Sequence, residues 1–377
     1  MTTADRRPLT ATLLTVLCLA TIAGCATLEL RVPLGEPIAP VAPPPPLERA
    51  WRIDADAAFG PDTPTVTDDG EVVVATRDGV VFVVNAADGT RAGRGRFGDA
   101  IEGRIAFDGP RVYVPLARAQ GGVVGANATG GNLLWTLREG PHLAGLRLVE
   151  GVLVAAAHDG TVRGLDPLTG DVRWAHRPDS LAQVRGTPAD LGDGRVAVAD
   201  TRGAIHAIDV SSGRILWRAD AGAPVYRSAE ASGGLLAVPT TRGTLVAFDA
   251  TTGATRWTVR AAPGVRMATP ALADGLVVVG GTDGVLRAHD AQTGAERWTR
   301  EVDGTLSATP LLADGALYVG TGRKRLIALD PASGEITWET ELSGRVKSGL
   351  TAVGGTLVVL AEPRFIYGFR PAAVASR

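Results

Sequence analysis

Short apolar runs separated by glycine-containing turns make up most of this chain. Residues 276–280 are continuously apolar, and residues 285–290 (Val-Leu-Arg-Ala-His-Asp) mix apolar and polar positions. Asp274-Gly275 precedes the first run, and Asp283-Gly284 separates the two. Runs of this length predict β-strands, and Asp-Gly pairs between them predict tight hairpins. Long stretches with the 3.6-residue period of an amphipathic helix are not found.

Two further short runs complete a unit of this pattern. Residues 257–260 (Trp-Thr-Val-Arg) and 268–272 (Ala-Thr-Pro-Ala-Leu) come before the two runs just described, and a turn at residues 291–294 follows them. The glycine of that turn supplies the positive φ that a bulged hairpin requires, and the aspartate before it can accept hydrogen bonds from the turn's amides. Each unit therefore predicts four antiparallel strands.

The unit is repeated along the chain and is marked by the phrase Asp-x3-Gly-x3-Trp. Its full copies begin at Asp166, Asp209, Asp249, Asp290 and Asp330. Asn127 begins a variant copy, Asn85 a decayed copy without its tryptophan, and Trp51 stands alone. The copies recur about every 40 residues, which is the size of one four-stranded propeller blade. We predict an all-β, eight-bladed β-propeller with four-stranded antiparallel blades.

The two ends of the repeat region are expected to complete one blade. The last unit has three predicted strands, at about residues 349–353, 356–360 and 365–369, and then the chain runs out. Residues 50–53, around Trp51, would supply the missing outer strand. Closing the ring in this way removes sheet edges that would otherwise pair with other chains. We place the propeller at residues 48–371 and a C-terminal tail at 372–377.

The repeated tryptophans are predicted to hold neighbouring blades together. A large ring on the outer strand can cover the next blade, while the indole N–H donates to a carbonyl. The alternative, a row of aromatic platforms for a ligand, is less favoured because aromatic residues are only 5% of the chain. The blade-docking residues are Trp51, Trp135, Trp174, Trp217, Trp257, Trp298 and Trp338.

The N-terminal region reads as a targeting segment rather than as part of the fold. Residues 1–24 combine Arg6 and Arg7 with an apolar stretch, and Ile-Ala-Gly-Cys at residues 22–25 matches a lipoprotein cleavage site. Cys25 is the predicted lipidation site; a plain secretory signal with an incidental cysteine is the alternative. Residues 25–47 are rich in proline and predict a semi-rigid tether, and the stretch from Cys25 to Trp51 would reach up to about 80 Å. Membrane contact would be through this anchor alone.

Composition and charge exclude several other functions. The net charge is −2, so a nucleic-acid partner is not expected. The five histidines are scattered without ligand spacing, and most aspartates fall on turns, where local hydrogen bonding explains them. We therefore expect no catalytic residues, no metal site and no cofactor.

The repeat resembles the tryptophan-docking repeat of quinoprotein-type propellers over roughly residues 50–371. Residues 247–253 (Ala-Phe-Asp-Ala-Thr-Thr-Gly) and 328–334 (Ala-Leu-Asp-Pro-Ala-Ser-Gly) carry this resemblance. One branch, the pyrroloquinoline-quinone dehydrogenases, implies a catalytic aspartate, a bound calcium and, in many members, adjacent cysteines. This sequence has no adjacent cysteines and no long insertions between blades. The enzyme branch is therefore the less favoured one.

The second branch is the BamB family, whose members are lipidated, non-catalytic eight-bladed propellers. That resemblance implies docking on a BamA-like insertase, a monomer within a complex, and a location on the periplasmic face of the outer membrane. The family's Leu-x-Leu-Arg-Gly stretch aligns with residues 182–186, which assigns partner binding to Val184, Arg185 and Gly186.

Departures from the family pattern leave other interpretations open. A family acidic pair is replaced by Val225 and Arg227. Arg185 can also be interpreted as a solvated loop residue. A lipid-anchored propeller that binds another envelope protein or a glycan is the alternative function.

Overall fold

The structure is a computed structural model that describes residues 28–29, 38, 41–60, 64–67, 69–118, 120–128, 131–177 and 182–373. The predicted signal peptide (1–24), the lipidation site Cys25 and most of the C-terminal tail lie outside the described residues. Within these ranges the regular elements are strands, and they form eight antiparallel sheets. The predicted all-β, eight-bladed propeller is confirmed.

Each of the first four blades is built from consecutive strands. Their bounds are β3 (Thr65–Val66), β4 (Glu71–Ala75), β5 (Val80–Asn85) and β6 (Arg91–Arg96) in blade 1; β7 (Ala106–Asp108), β8 (Arg111–Leu116), β9 (Gly122–Asn127) and β10 (Leu133–Leu137) in blade 2; β11 (Arg147–Val149), β12 (Val152–Ala156), β13 (Val162–Leu165) and β14 (Val172–His176) in blade 3; and β15 (Ala189–Gly192), β16 (Arg195–Ala199), β17 (Ala204–Asp209) and β18 (Ile215–Asp220) in blade 4. A two-residue strand, β1 (Leu28–Glu29), is added at the outer edge of β6.

The next four blades follow the same order until the ring closes. Their bounds are β19 (Glu230–Ser232), β20 (Leu235–Pro239), β21 (Thr244–Asp249) and β22 (Thr255–Arg260) in blade 5; β23 (Ala271–Ala273), β24 (Leu276–Gly280), β25 (Val285–Asp290) and β26 (Glu296–Glu301) in blade 6; β27 (Leu311–Ala313), β28 (Ala316–Gly320), β29 (Arg325–Leu329) and β30 (Ile336–Glu341) in blade 7; and β31 (Arg345–Val353), β32 (Thr356–Glu362), β33 (Phe365–Pro371) and β2 (Leu47–Asp54) in blade 8. First strands of neighbouring blades contact one another around the ring axis.

The N-terminal strand closes the last blade, as the sequence predicts. β2 pairs antiparallel with β33, from Leu47 opposite Pro371 to Asp54 opposite Phe365. The strand is longer than the predicted residues 50–53 because its pairing continues on both sides of Trp51. Arg364 adds an ion pair to Asp54, with 2.5 Å between Nε and Oδ1. The ends of the propeller are thus held together by a full ladder.

The tryptophan of one blade packs against the turn glycine of the next. The Trp257 indole N–H donates to the Ala291 carbonyl at 2.9 Å, and Gly294 lies against the ring, so that a Cβ there would come within 2.7 Å of it. Trp51 makes the same contact across the closure, donating to Ala86 at 3.0 Å beside Gly89. Equivalent bonds are made by Trp135, Trp174, Trp217 and Trp298.

Trp338 differs from the other tryptophans because blade 8 has no turn between its last two strands. Its ring packs edge-on against Phe369, with 6.0 Å between the ring centroids.

The repeated aspartate of the phrase shapes the turn against which the tryptophan of the preceding blade packs. Asp249 Oδ1 accepts hydrogen bonds from the amides of Thr251 and Thr252 at 3.0 and 2.8 Å. Its Oδ2 lies 2.6 Å from Arg256 Nη2, and these contacts hold the pKa of Asp249 well below its usual range. Because Gly253 has a φ of 73°, the chain can turn back beneath the Trp217 ring.

The core lies between blades rather than in one central mass. One cluster joins Leu235 and Leu245 of blade 5 to Val277 and Val279 of blade 6, around Trp257. Both faces of the middle strands are covered in this way, which explains why these strands read as continuous apolar runs.

Residues 41–46, which we call the strap, pack on the propeller although they belong to the predicted tether. The Ala42 amide donates to Asp314 Oδ2 at 2.6 Å, and the Gly355 amide donates to the Val41 carbonyl at 3.0 Å. The Tyr318 hydroxyl donates to the Pro43 carbonyl. Because its partners lie on blades 7 and 8, the strap is part of the folded body.

Blade 1 contains a buried carboxyl group. Glu71 is 3% exposed, and its Oε2 has no hydrogen-bond partner within the described structure. Burial, with a smaller contribution from nearby Asp69, raises the pKa of Glu71 to about 7. The folded state therefore favours the protonated form of this side chain.

Replacing Trp257 with alanine should destabilise the ring at the contact between blades 5 and 6. We expect a loss of about 3–5 kcal/mol in unfolding free energy, because the ring is buried and leaves a cavity. Trp257→Phe should cost about 1 kcal/mol through loss of the N–H bond. Urea denaturation measures both, with exposed Thr258→Ala as the control. A Trp257→Ala loss no larger than that of Thr258→Ala would contradict the docking role.

Glu71 should make stability depend on pH in a defined direction. The pKa of Glu71 is higher in the folded state than in the unfolded state. Its stabilising contribution to the unfolding free energy is therefore present below about pH 4.5 and is lost as the pH rises through about 7. We compare the unfolding free energy of Glu71→Gln with that of the native chain at each pH. This difference should be about 1–3 kcal/mol more favourable to the variant at pH 8 than at pH 5. Urea denaturation at both pH values measures this. Exposed Glu335→Gln is the control, and an equal change in both variants would contradict the assignment.

Candidate functional site

Two sets of connections form one face of the ring, which we call the cleft face. They are the turns between second and third strands, and the loops that lead from the outer strand of one blade to the first strand of the next. The strap contacts the opposite face, at the turns between first and second strands. The cleft face therefore carries the loops between blades, and the opposite face carries the strap.

Backbone hydrogen bonds fasten the loops of the cleft face to the turns beside them. The Thr201 amide donates to the Gln183 carbonyl at 2.9 Å, and the Thr241 amide donates to the Pro224 carbonyl at 2.9 Å. The Thr282 amide donates to the Arg266 carbonyl at 3.0 Å. The repetition of this bond in blades 4, 5 and 6 gives a rigid surface.

The predicted binding residues Val184, Arg185 and Gly186 occupy three different environments. The Val184 side chain is 1% exposed and packs in the core between blades 3 and 4. Gly186 lies close to the next loop, where a Cβ would come within 2.8 Å of the Arg227 carbonyl oxygen. Arg185 is exposed. Of the three residues, only Arg185 therefore has an exposed side chain. Val184 and Gly186 hold the loop in position through their contacts with the core and with the next loop.

Arg185 forms an exposed pair with Tyr226 of the following loop. The guanidinium carbon lies 5.4 Å from the Tyr226 ring centroid, within the range of a cation–π contact. Arg185 Nη2 also donates to Gln183 Oε1 at 3.1 Å. The Tyr226 side chain is 51% exposed, which is unusual for a large aromatic residue. Arginine and tyrosine are the residue types that most often dominate the energy of protein interfaces.

A cleft of about 480 Å³ opens beside this pair, across blades 4 to 7. Arg227 and Arg266 line it together with Arg185. Buried Met267 and Leu306 provide apolar surface at its base. The lining contains no aspartate or glutamate.

Sequence reasoning did not identify Tyr226 and Arg266 as site residues. Both lie in loops equivalent to the one that carries Arg185, one and two blades further on. The repeat spacing would have located these loops, but whether a loop residue faces the cleft or the core depends on packing. Val225, which stands where the family has an acidic residue, is 1% exposed, whereas its neighbour Tyr226 faces outward.

Neither the cleft nor a second space near the ring axis offers the ligand set of a calcium ion that would accompany a quinone. The space at the ring axis between Arg104, Arg147 and Glu230 is about 20 Å³, room for about one water molecule. Calcium takes six to eight oxygen ligands, usually with several carboxylates. The axial space has one carboxylate between two arginines, and the cleft has none.

Two of the histidines, His176 and His206, meet with 3.2 Å between Nε2 and Nδ1, but they are not joined by further metal ligands in the described ranges. No group of three or more His, Cys, Asp or Glu side chains there could hold a metal ion. His142 is buried, and burial lowers its pKa to about 4, while its Nδ1 lies 3.1 Å from the Gly140 carbonyl. His289 packs against Trp257 and is also buried. Both side chains are therefore packed inside the fold.

A search of the described part of the chain for membrane-spanning helices found none long and apolar enough.

The closed ring and its tryptophan-docked turns define the class of this protein as a β-propeller of quinoprotein-like repeats. The family model for outer membrane protein assembly factor BamB matches residues 48–180, 77–229, 158–305 and 282–372. The chain belongs to this family, which confirms the resemblance drawn from the sequence. A comparison with curated protein sequences found no match.

Solved structures share the fold at low sequence identity. BamB from Moraxella catarrhalis is 20% identical with a TM-score of 0.71, over 86% of this chain and 99% of that one. Quinohemoprotein alcohol dehydrogenase from Comamonas testosteroni is 14% identical with a TM-score of 0.71, over 88% and 78%. The computationally designed Ika8 protein is 17% identical with a TM-score of 0.73, over 89% and 100%. At these identities the likeness shows the fold alone.

Proposed function

We propose that this chain is a non-enzymatic scaffold of the outer membrane that assists the assembly and insertion of β-barrel proteins. It would act as a monomer that docks on a BamA-like insertase through the cleft face. The observation that carries this proposal is the exposed Arg185–Tyr226 pair on a fastened loop surface, in a chain of the BamB family.

The rigidity of the cleft face supports a docking role. Loops already held by hydrogen bonds to neighbouring turns lose little conformational freedom when a partner binds. Such surfaces usually bind with little movement of the backbone. The proposal therefore requires no conformational change in the propeller.

The N-terminal strand β1 supports an anchor beside the outer edge of blade 1. Leu28 pairs with Gly95 at the outer edge of blade 1, and the strap crosses the face opposite the cleft. A lipid on Cys25 would lie three residues before Leu28, within about 10 Å of that edge. The propeller would then stand closer to the membrane than the predicted reach of the tether allows.

The unsuitable geometry for a quinone and calcium supports a scaffold rather than a dehydrogenase. The cleft offers arginine, hydroxyl and apolar groups but no carboxylate ligand. An absorbance titration with pyrroloquinoline quinone should therefore show no binding that requires calcium. Saturable binding that is lost when calcium is removed would favour the enzyme alternative.

Charge reversal at Arg185 should weaken partner capture without unfolding the protein. We expect Arg185→Glu to reduce capture of the purified periplasmic domains of the insertase from the same cell by about tenfold, because interface energy concentrates in such residues. Its melting temperature should stay within about 1 °C of the native value, since the side chain is exposed. Arg214→Glu, an exposed arginine on the opposite face, is the matched control. Equal capture by both variants would contradict the assigned face.

Loss of the predicted lipidation site should release the protein from the membrane. We expect Cys25→Ser to abolish incorporation of labelled palmitate and to move the protein into the soluble periplasmic fraction, because a propeller without acyl chains has no other anchor in this proposal. Cys18→Ser, within the predicted signal peptide, should change neither result. Membrane retention and labelling of the Cys25→Ser variant would contradict lipidation at this position.

A further inference from the structure

Three consecutive loops each contribute an arginine to the cleft. Arg185 lies between β14 and β15, Arg227 between β18 and β19, and Arg266 between β22 and β23. Because these loops belong to neighbouring blades, the three cations follow an arc on one side of the ring. With no aspartate or glutamate in the lining, the cleft has a strongly positive character.

Exposed arginines beside the cleft extend this positive surface. Arg202 lies in the turn between β16 and β17, and Arg242 in the turn between β20 and β21, on the same face. These two turns belong to blades 4 and 5, which also contribute to the cleft.

Acidic residues near the cleft are occupied by other contacts. Buried Asp200 accepts hydrogen bonds through Oδ1 from the amides of Arg202 and Ala204, at 2.8 and 3.0 Å. Asp283 pairs with Arg287 at 2.5 Å, and Asp220 Oδ1 accepts a bond from the Gly222 amide at 2.8 Å. None of these carboxylates lines the cleft, and Asp283 is paired with its own arginine.

We propose that the cleft binds an extended acidic segment of the partner protein, in which carboxylates flank an aromatic or aliphatic side chain. The carboxylates would pair with the arginines, whose guanidinium groups suit bidentate contacts. The apolar side chain would pack on Tyr226 and above Met267 and Leu306. The volume of about 480 Å³ is in the range of sites that hold several side-chain groups.

The combination of charge and apolar surface favours a peptide over an anionic glycan. The C–H face of a sugar ring can stack on Tyr226, but a glycan carrying only hydroxyl and carboxylate groups has no apolar side chain to pack above Met267 and Leu306. The inference rests on the proposed function, because it specifies the chemistry of the segment that the partner inserts. Binding should weaken with salt, since exposed charge pairs are screened.

Fluorescence anisotropy with the full chain tests the inference directly. The probe is a fluorescein-labelled peptide of sequence Ser-Asp-Glu-Phe-Asp-Glu-Ser, and a second peptide has lysine at its four acidic positions. We expect the acidic peptide to bind the native chain, and its affinity should fall several-fold between 50 and 300 mM NaCl. Its affinity for Arg266→Glu should be about tenfold lower than for the native chain. Arg214→Glu, on the opposite face, should bind like the native chain. The lysine peptide should bind Arg266→Glu more tightly than it binds the native chain.

Several outcomes would overturn the inference. One is an acidic peptide that fails to bind while the insertase domains are still captured, which would leave the proposed function intact. Another is equal peptide binding by Arg266→Glu and Arg214→Glu. A third is that the peptide does not bind, while a polygalacturonate oligosaccharide binds the native chain and loses affinity for Arg266→Glu. Peptide binding that depends on Arg266 without insertase capture would support the inference and contradict the proposed partner.

Discussion

The contact between the tryptophan of one blade and the turn glycine of the next is the interaction on which this structure depends. A single four-stranded blade is too thin to bury both its faces, so its middle strands are covered only when blades stand side by side. The Trp257 ring and its bond to Ala291 set the spacing between two such sheets. The same contact at Trp51 joins blade 8 to blade 1, where the ends of the ring meet.

Ring closure gives the molecule two faces with different roles. The strap and the turn aspartates lie on one face, where the hydrogen-bonding groups are used within the protein. On the other face, loops are fastened by backbone bonds, so side chains such as Arg185 and Tyr226 remain available to a partner.

Much of the fold could be predicted because its determinants are local and repeated. The strands β24 and β25 were located to the residue, since each lies between two turn signals. Packing of residues 41–46 on blades 7 and 8 was not predicted, because a proline-rich segment reads as a spacer whether or not a surface receives it. The buried carboxyl of Glu71 was also missed, since its neighbours along the chain show no reason for burial.

The sequence by itself determined the number of blades, the closing strand and the tryptophan positions, because these follow from a repeat whose turns and alternation act over a few residues. Only the tertiary structure decided which members of the predicted binding triplet reach solvent. Val184 and Arg185 are adjacent in one loop, yet Val184 bridges to Asp200 and packs in the core, whereas the Arg185 side chain is exposed. The cleft was likewise decided by tertiary structure, since Arg185, Tyr226 and Arg266 are distant in sequence and meet only when neighbouring blades pack together.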